Sequence, residues 1–400
     1  MNLVLFTHPA FLGLTSQDHF ARMLSAAFAA RGHAVSLRRP PAVLRARFAQ
    51  GRWAKWAGYV DQYLLFPRQI RAALRSDPAD TLYVFCDQAL GPWIPLLASR
   101  PHVVHCHDLL ALRSALGDIA DPQPAFTGRL YQRYIRRGFR RAKYFISISR
   151  RSRDDLHRFG GVAPRLSEVV YNGLNHPFRR VDRGTVRDRL LRAGLPAERR
   201  GCLLHVGGGQ WYKNAQGVVA LYGAYARGCL VVGQPPLPLW MVSPPPSVAL
   251  QAAIDALPPA TEVRFLGGVD VQTLEALYAH ARALLFPSLA EGFGWPIAVA
   301  LACGCPVLTT GEPPMTEVGG DAAVYLPRLQ SSADLPAWSA QAARVLADLL
   351  ARPPADQARD AAAGRARATE FDPDAAIDRY LGLYQRVLAM EGHSDPGSTR

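Results

Sequence analysis

The feature that most constrains the fold is an alternation of strand-like and helix-like segments, which begins again in the second half of the chain. Short apolar runs separated by helical patterns predict parallel β-sheets with helices on both faces. The first series has predicted strands at 3–6, 34–37, 81–86, 102–105 and 144–148, with helices at 18–31 and 130–141. The second has predicted strands at 202–206, 239–242, 262–266, 283–286, 306–309 and 323–325, with helices at 216–226, 248–256, 271–281 and 297–303. The chain is therefore predicted to be α/β, with two doubly wound sheets.

The length of the chain supports a division into domains. Four hundred residues are too many for one hydrophobic core and indicate two domains. A loop-like and then charged stretch near 175–197 predicts the boundary, so the domains are expected at 1–178 and 198–373. A further amphipathic helix is predicted at about 374–390, and the polar residues from 391 onward predict a frayed tail.

Composition excludes several classes of protein. Hydrophobic residues make up 49% of the chain and no low-complexity tract interrupts them, so a globular protein is predicted rather than a disordered one. No apolar run reaches the roughly eighteen residues that a bilayer-spanning helix needs. The first residues lack the basic region and cleavage site of a signal peptide. Six scattered cysteines do not form the pattern of a disulfide framework. We expect a cytoplasmic protein.

The net charge of +14 is concentrated in two basic stretches with interleaved aromatic residues, at 45–75 and 129–143. Such stretches favour docking on an anionic membrane, here at the inner face of the plasma membrane. A solvated helix face in an arginine-rich protein explains them equally well. Nucleic acid is disfavoured as a partner because no recognised binding motif accompanies the charge.

The segment from Phe286 to Pro296 predicts a ligand-binding turn after an apolar strand. Gly292 and Gly294 let the backbone pass close to a ligand. Pro296 suits the first position of a helix, where its missing N–H costs nothing. The free N–H groups and partial positive charge at that helix start favour a phosphate. Glu291 stands at the edge of this turn, where a carboxylate can accept hydrogen bonds from hydroxyl groups.

A series of motifs in a fixed order resembles one family. The motifs are His107-Asp108, Tyr171-Asn-Gly173, the Val-Gly-Gly-Gly-Gln-Trp-Tyr-Lys-Asn segment at 206–214, Phe265-Leu-Gly267, and the segments 291–307 and 316–323. Together they resemble the retaining glycosyltransferases of family four, which have the GT-B fold. The resemblance implies two facing Rossmann-like domains, the first on the acceptor side and the second binding the nucleotide sugar. It also implies that the C-terminal helix crosses back onto the first domain.

The resemblance also implies an activity and its partners. It implies transfer of a sugar, with retention of configuration, from a nucleotide-sugar donor to a glycan or lipid-linked acceptor in cell-surface polysaccharide synthesis. Retention is usually explained in this family by front-side attack, in which the departing phosphate takes the acceptor's proton. The reaction generally needs no metal or other cofactor. A metal site at His102, His105 and His107 is disfavoured because no carboxylate or cysteine cluster completes it.

The implied site residues are distributed over both domains. Lys213 would stabilise the charge that builds on the β-phosphate, and His107 would lie near the donor sugar and the acceptor. Glu291 would bind the hydroxyls of the sugar. The donor-binding set implied by the resemblance is completed by Gly13, Gly208, Gly209, Gly292, Phe293, Gly294 and Val299.

Two positions depart from the family's pattern. Gly208 stands where the family usually has an arginine, and Val299 stands where it usually has a glutamate that binds the ribose. Loss of a hydrogen bond to a charged group costs about 1.5–3 kcal/mol. Three explanations remain open: another side chain binds the ribose, the donor binds weakly, or the protein binds a nucleotide, glycan or partner without turnover. A phosphorylase-type enzyme is disfavoured because this length leaves no room for its cofactor-binding domain.

Overall fold

A computed structural model describes residues 1–48, 50–51, 53–119, 123–197 and 200–392. The chain divides into two compact units, Met1–Gly173 with the segment that begins at Pro373, and Leu174–Asp372. We call them unit 1 and unit 2. The predicted start of the second domain at 198 lies outside the described residues, and so does the part of the predicted tail from 393 onward.

The elements have the following bounds. The strands are β1 Asn2–Phe6, β2 Ala34–Arg38, β3 Leu82–Phe85, β4 His102–Cys106, β5 Tyr144–Ser147, β6 Leu166–Val169, β7 Cys202–Val206, β8 Leu239–Val242, β9 Val263–Leu266, β10 Ala281–Phe286, β11 Val307–Thr310 and β12 Val324–Leu326. The α-helices are α1 Thr15–Ala30, α2 Leu44–Arg47, α3 Ala54–Val60, α4 Phe66–Ala73, α5 Leu110–Leu116, α6 Phe126–Phe139, α7 Arg150–Phe159, α8 Arg183–Arg192, α9 Ala215–Val231, α10 Val248–Asp255, α11 Val271–His280, α12 Trp295–Cys303, α13 Met315–Gly319, α14 Leu335–Ala351, α15 Pro354–Ala368 and α16 Pro373–Gly392.

Each unit contains one parallel six-stranded sheet. The strand order is β2-β1-β3-β4-β5-β6 in unit 1 and β12-β11-β10-β7-β8-β9 in unit 2. The direction in which strands are added reverses between β1 and β3 in unit 1, and between β7 and β10 in unit 2. Ligands of such sheets bind outside the carboxyl ends of the strands at these switch points. The α/β class with two doubly wound sheets is confirmed.

The core of unit 1 follows from the alternation of side chains along buried strands. Leu3 and Leu5 of β1 belong to a cluster with α1 and α16 on one face of the sheet. Val4 and Phe6 belong to a second cluster on the other face, with α6 and a 3₁₀ helix at Gln88–Leu97. Because both faces are covered, the strands are continuous apolar runs, and this is why the sequence predicts them well.

The C-terminal helix α16 is part of unit 1, as the resemblance implies. Tyr380 and Tyr384 lie in the same apolar cluster as β1. The hydroxyl of Tyr384 lies 2.7 Å from Nε2 of the buried His105. At the end of the helix, Glu391 accepts hydrogen bonds from the hydroxyl of Tyr144 at 2.6 Å and from Nζ of Lys143 at 3.2 Å. The predicted frayed tail from 391 is therefore wrong at its first residue, because Glu391 is held in the helix.

The structure adds elements that the sequence did not reveal. The half-buried edge strand β6 has only two apolar residues, and the charged region expected to be the domain boundary contains α8. Asp182 begins α8 by accepting a hydrogen bond from the N–H of Thr185 at 3.0 Å.

Unit 2 begins at Leu174, earlier than the expected boundary at 178, and the N–H of Leu174 donates to the carbonyl of Phe371 at 2.8 Å. Among the described residues, no helix is both long and apolar enough to cross a bilayer.

Candidate functional site

The loop after β7 is built by glycines and one asparagine. Gly207 to Gly209 follow the strand, and a 3₁₀ helix at Trp211–Lys213 carries Lys213. Asn214 adopts a left-handed conformation with φ of 56° and caps α9 by accepting from the N–H of Gly217 at 3.1 Å. Its Nδ2 donates to the carbonyl of Pro287 at 2.9 Å, and so it joins this loop to the loop after β10.

The space around these glycines differs from one to the next. A Cβ on Gly207 would lie 2.8 Å from Nε2 of His205, so this position has no room for a side chain. A Cβ on Gly208 would lie 2.7 Å from the end of the Gln210 side chain, which is free to rotate away. The absence of the family's arginine at Gly208 is therefore not forced by the backbone. Gly209 has a φ of +80°, which favours glycine whatever the space.

The loop after β10 positions Glu291 and begins α12. The N–H of Leu289 donates to the carbonyl of Tyr212 at 2.7 Å, which brings this loop against the loop after β7. Gly294 has a φ of 106° and lies directly before α12. The helix begins at Trp295, so Pro296 occupies its second position rather than the first one predicted. Proline is tolerated there for the same reason, because N–H groups of the first turn have no partner within the helix.

The central feature of the site is an ion pair between two residues that lie 78 positions apart. Nζ of Lys213 lies 2.8 Å from Oε1 of Glu291, and the two side chains are only 14% and 7% exposed. The ammonium also lies 4.8 Å from the centre of the Phe286 ring and 5.6 Å from that of Tyr212. A cation and a carboxylate are thus held side by side at the switch point of unit 2, where they suit a phosphate and hydroxyl groups.

His205, in β7, packs against Gly207 of the loop that carries Lys213. Its role was not identified from the sequence. Its Nδ1–H donates to the carbonyl of Leu285 at 2.9 Å, and the ring is buried. Burial, together with the smaller effect of the Lys213 charge, lowers the pKa of His205 to about 4, although the hydrogen bond to Leu285 opposes the shift. His205 is therefore neutral near pH 7, and Lys213 remains the cation of this loop. The only signal in the sequence was a polar residue inside an otherwise apolar strand.

Two of the predicted donor-binding residues have buried side chains. The ring of Phe293 packs edge-to-face on Phe371 with a centroid distance of 5.5 Å. Its side chain is thus part of the core, and only its backbone is suited to ligand contact. Val299 is 5% exposed and lies on α12, where every residue from 297 to 303 is buried. A carboxylate at Val299 would have to be desolvated in apolar surroundings.

A second polar cluster lies at the switch point of unit 1. His8 follows β1 and Asp87 follows β3, and Nε2 of His8 donates to Oδ2 of Asp87 at 2.9 Å. Oδ1 of Asp87 accepts from the N–H of Ala89 at 2.9 Å and caps the following 3₁₀ helix. Burial alone would raise the pKa of Asp87, but the hydrogen bond and charge of His8, with His107 nearby, lower it. Sequence reasoning missed both His8 and Asp87, although each is a polar residue within two positions of the end of a strand.

Of the two predicted site residues in unit 1, His107 lies near this edge of the sheet and Gly13 lies in the first loop. Nε2 of His107 donates to the carbonyl of Cys86 at 2.8 Å, and its ring meets Phe20 edge-on at 4.7 Å. Gly13 ends a short 3₁₀ helix with a φ of 65°, and a Cβ there would meet nothing within 4 Å. Glycine is favoured at this position by the left-handed backbone conformation and not by a lack of space. Within the described part of the chain, no three His, Cys, Asp or Glu side chains form a metal-binding group.

The chain can now be compared with known proteins. The model of Glycosyltransferase Family 4 matches residues 18–177, and the model of Glycosyl transferases group 1 matches residues 202–348. The two together span well over half of the chain; the first lies almost wholly in unit 1 and the second lies within unit 2. The chain belongs to the family-four, group 1 glycosyltransferases.

Two curated relatives are similar over parts of their length. O-antigen chain mannosyltransferase B of Escherichia coli is 47% identical over 60 residues, which are 15% of this chain and 16% of the relative. O-antigen chain mannosyltransferase RfbU of Salmonella typhimurium strain LT2 is 24% identical over 229 residues, which are 55% of this chain and 58% of the relative. The chain thus matches less than two thirds of the length of each relative.

Solved structures match over nearly the whole chain. Sucrose-phosphate synthase from Thermosynechococcus elongatus has a TM-score of 0.69 at 19% identity, with 98% of this chain and 100% of that chain covered. WaaG, a glycosyltransferase involved in lipopolysaccharide biosynthesis, has a TM-score of 0.65 at 18% identity, with the same coverage. Anabaena HepE in complex with UDP-glucose has a TM-score of 0.64 at 17% identity, covering 98% and 99%. These likenesses confirm the GT-B fold class.

Proposed function

We propose that the protein transfers a hexose from a nucleotide-sugar donor to a glycan or lipid-linked acceptor in cell-surface polysaccharide synthesis. The observation that carries the proposal is the Lys213–Glu291 pair at the switch point between β7 and β10. The names of the two O-antigen mannosyltransferases and the UDP-glucose bound to HepE support the same reaction class.

The donor chemistry follows from the charges in unit 2. As the bond between sugar and diphosphate breaks, its electron pair leaves with the diphosphate and negative charge builds on the β-phosphate. Lys213 and the N–H groups of Gly208 and Gly209 stabilise that charge more in the transition state than in the ground state. Once Lys213 contacts phosphate, Glu291 is released to accept hydrogen bonds from the sugar hydroxyls, beside the backbone of 292–294.

Retention of configuration is part of the proposal and rests on the family resemblance. In front-side attack the acceptor oxygen bonds to the anomeric carbon on the face from which the diphosphate departs. The departing phosphate oxygen takes the acceptor's proton, so charge and protons balance without a metal or other cofactor. His107 is proposed to contact the reacting groups, and Gly13 to belong to the loop on the acceptor side.

A binding protein without turnover is the second candidate, because two specific observations favour it. Gly208 provides no guanidinium for the diphosphate, and the buried Val299 provides no acceptor for the ribose. Both departures from the family's pattern would lower the affinity for a nucleotide, although neither removes the Lys213–Glu291 pair.

A screen of nucleotide sugars separates these candidates. Saturation-transfer NMR on the full chain detects which donor binds, and release of the nucleoside diphosphate in the presence of an acceptor extract measures turnover. We expect one donor to bind and to be consumed. If a donor binds but no nucleoside diphosphate is released in the presence of any acceptor extract, the result supports the binding protein. If no nucleotide sugar binds, the transferase is wrong, and the second candidate is left only as a protein that binds a glycan or a partner.

We further propose that unit 1 docks on an anionic membrane, which would place the protein at the inner face of the plasma membrane. Trp53 and Trp56 near α3 are 57% and 60% exposed, and Phe126 at the start of α6 is 68% exposed. The arginines Arg133 and Arg137 of α6 are exposed on the same unit. Aromatic side chains beside cations are the composition that binds the interface of anionic lipids.

A further inference from the structure

The loop that carries Glu291 is bonded along its backbone by side chains from other parts of unit 2. Four successive carbonyls, those of residues 286 to 289, each accept a hydrogen bond from a side chain. The donors are, in order, Oγ1 of Thr309 at 2.7 Å, Nδ2 of Asn214 at 2.9 Å, Oγ1 of Thr310 at 2.7 Å and Nε of Arg328 at 2.9 Å. About two-thirds of the hydrogen bonds in a folded protein join backbone to backbone, so this run of side-chain donors calls for a physical reason.

The four donors come from the ends of three neighbouring strands. Thr309 and Thr310 are the last two residues of β11, Asn214 follows β7, and Arg328 lies two residues beyond β12. The strand order is β12-β11-β10-β7, so these donors lie on both sides of the loop after β10. They therefore fix the backbone of this loop relative to the carboxyl edge of the sheet, and Glu291 lies only two residues further along the chain.

Arg328 differs from the other donors in its exposure and its reach. Asn214, Thr309 and Thr310 are buried, whereas the side chain of Arg328 is 29% exposed. Arg328 reaches from the loop after β12, past the end of β11, to the loop after β10. Its Nε also lies 3.7 Å from Oε2 of Glu312, in the loop after β11, and this carboxylate helps to orient the guanidinium.

The carbonyl that Arg328 bonds belongs to a residue that is held on both sides. The N–H of Leu289 donates to the carbonyl of Tyr212 at 2.7 Å, and the carbonyl of Leu289 accepts from Arg328. Two residues later, the carboxylate of Glu291 lies 2.8 Å from Nζ of Lys213. A binding group must be held within about 0.5 Å of its working position. The backbone at Leu289 supplies this support for Glu291.

We propose that Arg328 is a positioning residue, whose hydrogen bond to the Leu289 carbonyl aims the carboxylate of Glu291 at the hydroxyls of the donor sugar. The proposal rests on the proposed transferase function and adds a residue that no motif of the sequence indicated. Because Arg328 is partly exposed, water can replace its hydrogen bond when the side chain is changed. The fold should then persist while the loop that carries Glu291 gains freedom.

Two variants of Arg328 test this role by calorimetry. A pool of UDP-glucose, UDP-galactose, UDP-N-acetylglucosamine, GDP-mannose and dTDP-rhamnose is first screened on the parent protein. The nucleotide sugar that binds and its nucleoside diphosphate are then titrated separately. Arg328→Met should weaken binding of the nucleotide sugar by roughly threefold to thirtyfold and leave the nucleoside diphosphate unchanged, because only the former has a sugar for Glu291. Arg328→Lys keeps a cationic donor and should recover part of the loss.

A double-mutant cycle with Glu291→Gln separates positioning from a general structural role. Once the carboxylate is gone, Arg328→Met should have little further effect on binding of the nucleotide sugar. Urea unfolding verifies that each variant is folded at the temperature of the titrations. A role in stability alone would weaken both ligands equally, and its effect would persist in the Glu291→Gln background.

Arg352→Met is the matched control. Arg352 is also partly exposed in unit 2 and lies 2.6 Å from Asp360, but it lines a cavity with Pro306 and Ala323, which precede β11 and β12. It therefore lies at the opposite edge of the sheet, and its variant should leave both affinities unchanged. Without donor, hydrogen exchange of residues 288–294 should be at least threefold faster in Arg328→Met and unchanged in Arg352→Met.

Three results would each overturn the role of Arg328. They are equal weakening of nucleotide sugar and nucleoside diphosphate, an undiminished effect in the Glu291→Gln background, and unchanged hydrogen exchange of residues 288–294. If the parent binds a nucleotide sugar and Arg328→Met binds it equally well, this proposal alone is wrong. If the parent binds no nucleotide sugar, the proposed transferase function is wrong, and the role given to Arg328 is wrong with it.

Discussion

At the scale of single residues, the candidate donor site depends on two charges that need each other. Lys213 and Glu291 are both largely shielded from water, so each requires the other's charge when no ligand is bound. A diphosphate on Lys213 would release Glu291 for the hydroxyls of the sugar. In the proposed function, the pair would couple recognition of the two ends of a nucleotide sugar, and removal of its cation gives the next prediction.

Replacing Lys213 with alanine should lower kcat by about 10²–10³-fold, the usual effect of removing one group that stabilises developing charge. It should also destabilise unit 2 by about 3–5 kcal/mol, because Glu291 is left buried without its cation. The sequence alone predicts an intact fold for this variant. Initial-rate kinetics and urea unfolding measure the two effects separately.

The double variant Lys213→Met with Glu291→Gln controls for the lost stability. It removes both charges with little change in volume, so most of the stability should return while turnover stays low. A double variant with kcat within about threefold of the parent would exclude Lys213 from the mechanism.

Replacing Val299 with glutamate tests the position assigned to the ribose. A carboxylate that reaches the ribose diol should strengthen binding of a nucleoside diphosphate by about 1.5–3 kcal/mol. The gain is reduced by the cost of desolvating a charge on the buried α12. Calorimetry measures it on both forms, with a 2′,3′-dideoxy nucleotide to show dependence on the hydroxyls. Val299→Gln is the uncharged control, and equal affinity of the parent and Val299→Glu would mean that the ribose is bound elsewhere.

At the scale of elements, α6 shows which of its cations are available to a membrane. Arg136 and Arg140 donate to the carbonyls of Gly160 at 3.1 Å and Gly161 at 2.9 Å, so they are engaged within unit 1. Lys143 lies beyond the helix and bonds to Glu391. The exposed face consists of residues spaced three or four apart, as one helix face requires, namely Phe126, Arg129, Leu130, Arg133, Tyr134 and Arg137.

Vesicle sedimentation tests that face. Binding to anionic vesicles should fall steeply with salt, because the Debye length shrinks from about 10 Å at 0.1 M to 3 Å at 1 M. The double variant Arg133→Ser/Arg137→Ser should bind more weakly, since each juxtamembrane cation contributes about 1 kcal/mol. Arg183→Ser/Arg187→Ser on α8 makes the same change in charge and should have no effect. Equal binding to neutral and anionic vesicles would contradict the electrostatic account.

At the scale of the whole molecule, each unit contains a buried histidine whose neutral form is required by the fold. Burial lowers the pKa of His105 in unit 1 to about 3 and that of His205 in unit 2 to about 4. The unfolded chain takes up these protons below pH 6.5 while the folded chain does not. Stability is therefore fully present above pH 6.5 and is lost as the pH falls towards the folded-state values.

Between pH 7 and pH 5, His105 should cost unit 1, and His205 should cost unit 2, about 2 kcal/mol of the free energy of unfolding, because pH 5 lies about 1.5 units below the unfolded value. Urea unfolding at the two pH values measures the loss. In His105→Gln the loss for unit 1 should shrink by that amount, while the loss for unit 2 persists. A parent protein with equal stability at both pH values would contradict this assignment.

The sequence predicted those features that depend on short-range pattern. Strands such as β1 and β7 are covered on both faces and therefore appear as continuous apolar runs. Gly294 and Pro296 marked the start of α12 to within two residues, because a left-handed turn and a first helical turn need those residue types. The edge strand β6 and the arginine-rich α8 escaped prediction, because partial exposure removes the apolar signal.

The sequence by itself determined that two doubly wound sheets form and that Lys213 and Glu291 each follow a strand. Only the tertiary structure decided that these two meet as an ion pair, and that His8 meets Asp87, because the partners lie 78 and 79 positions apart. Their meeting depends on strand order: crossover connections bring β7 beside β10 and β1 beside β3, whose carboxyl ends then share one edge. Local patterns carry no information about that order, so the polar groups at each switch point became visible only in the folded chain.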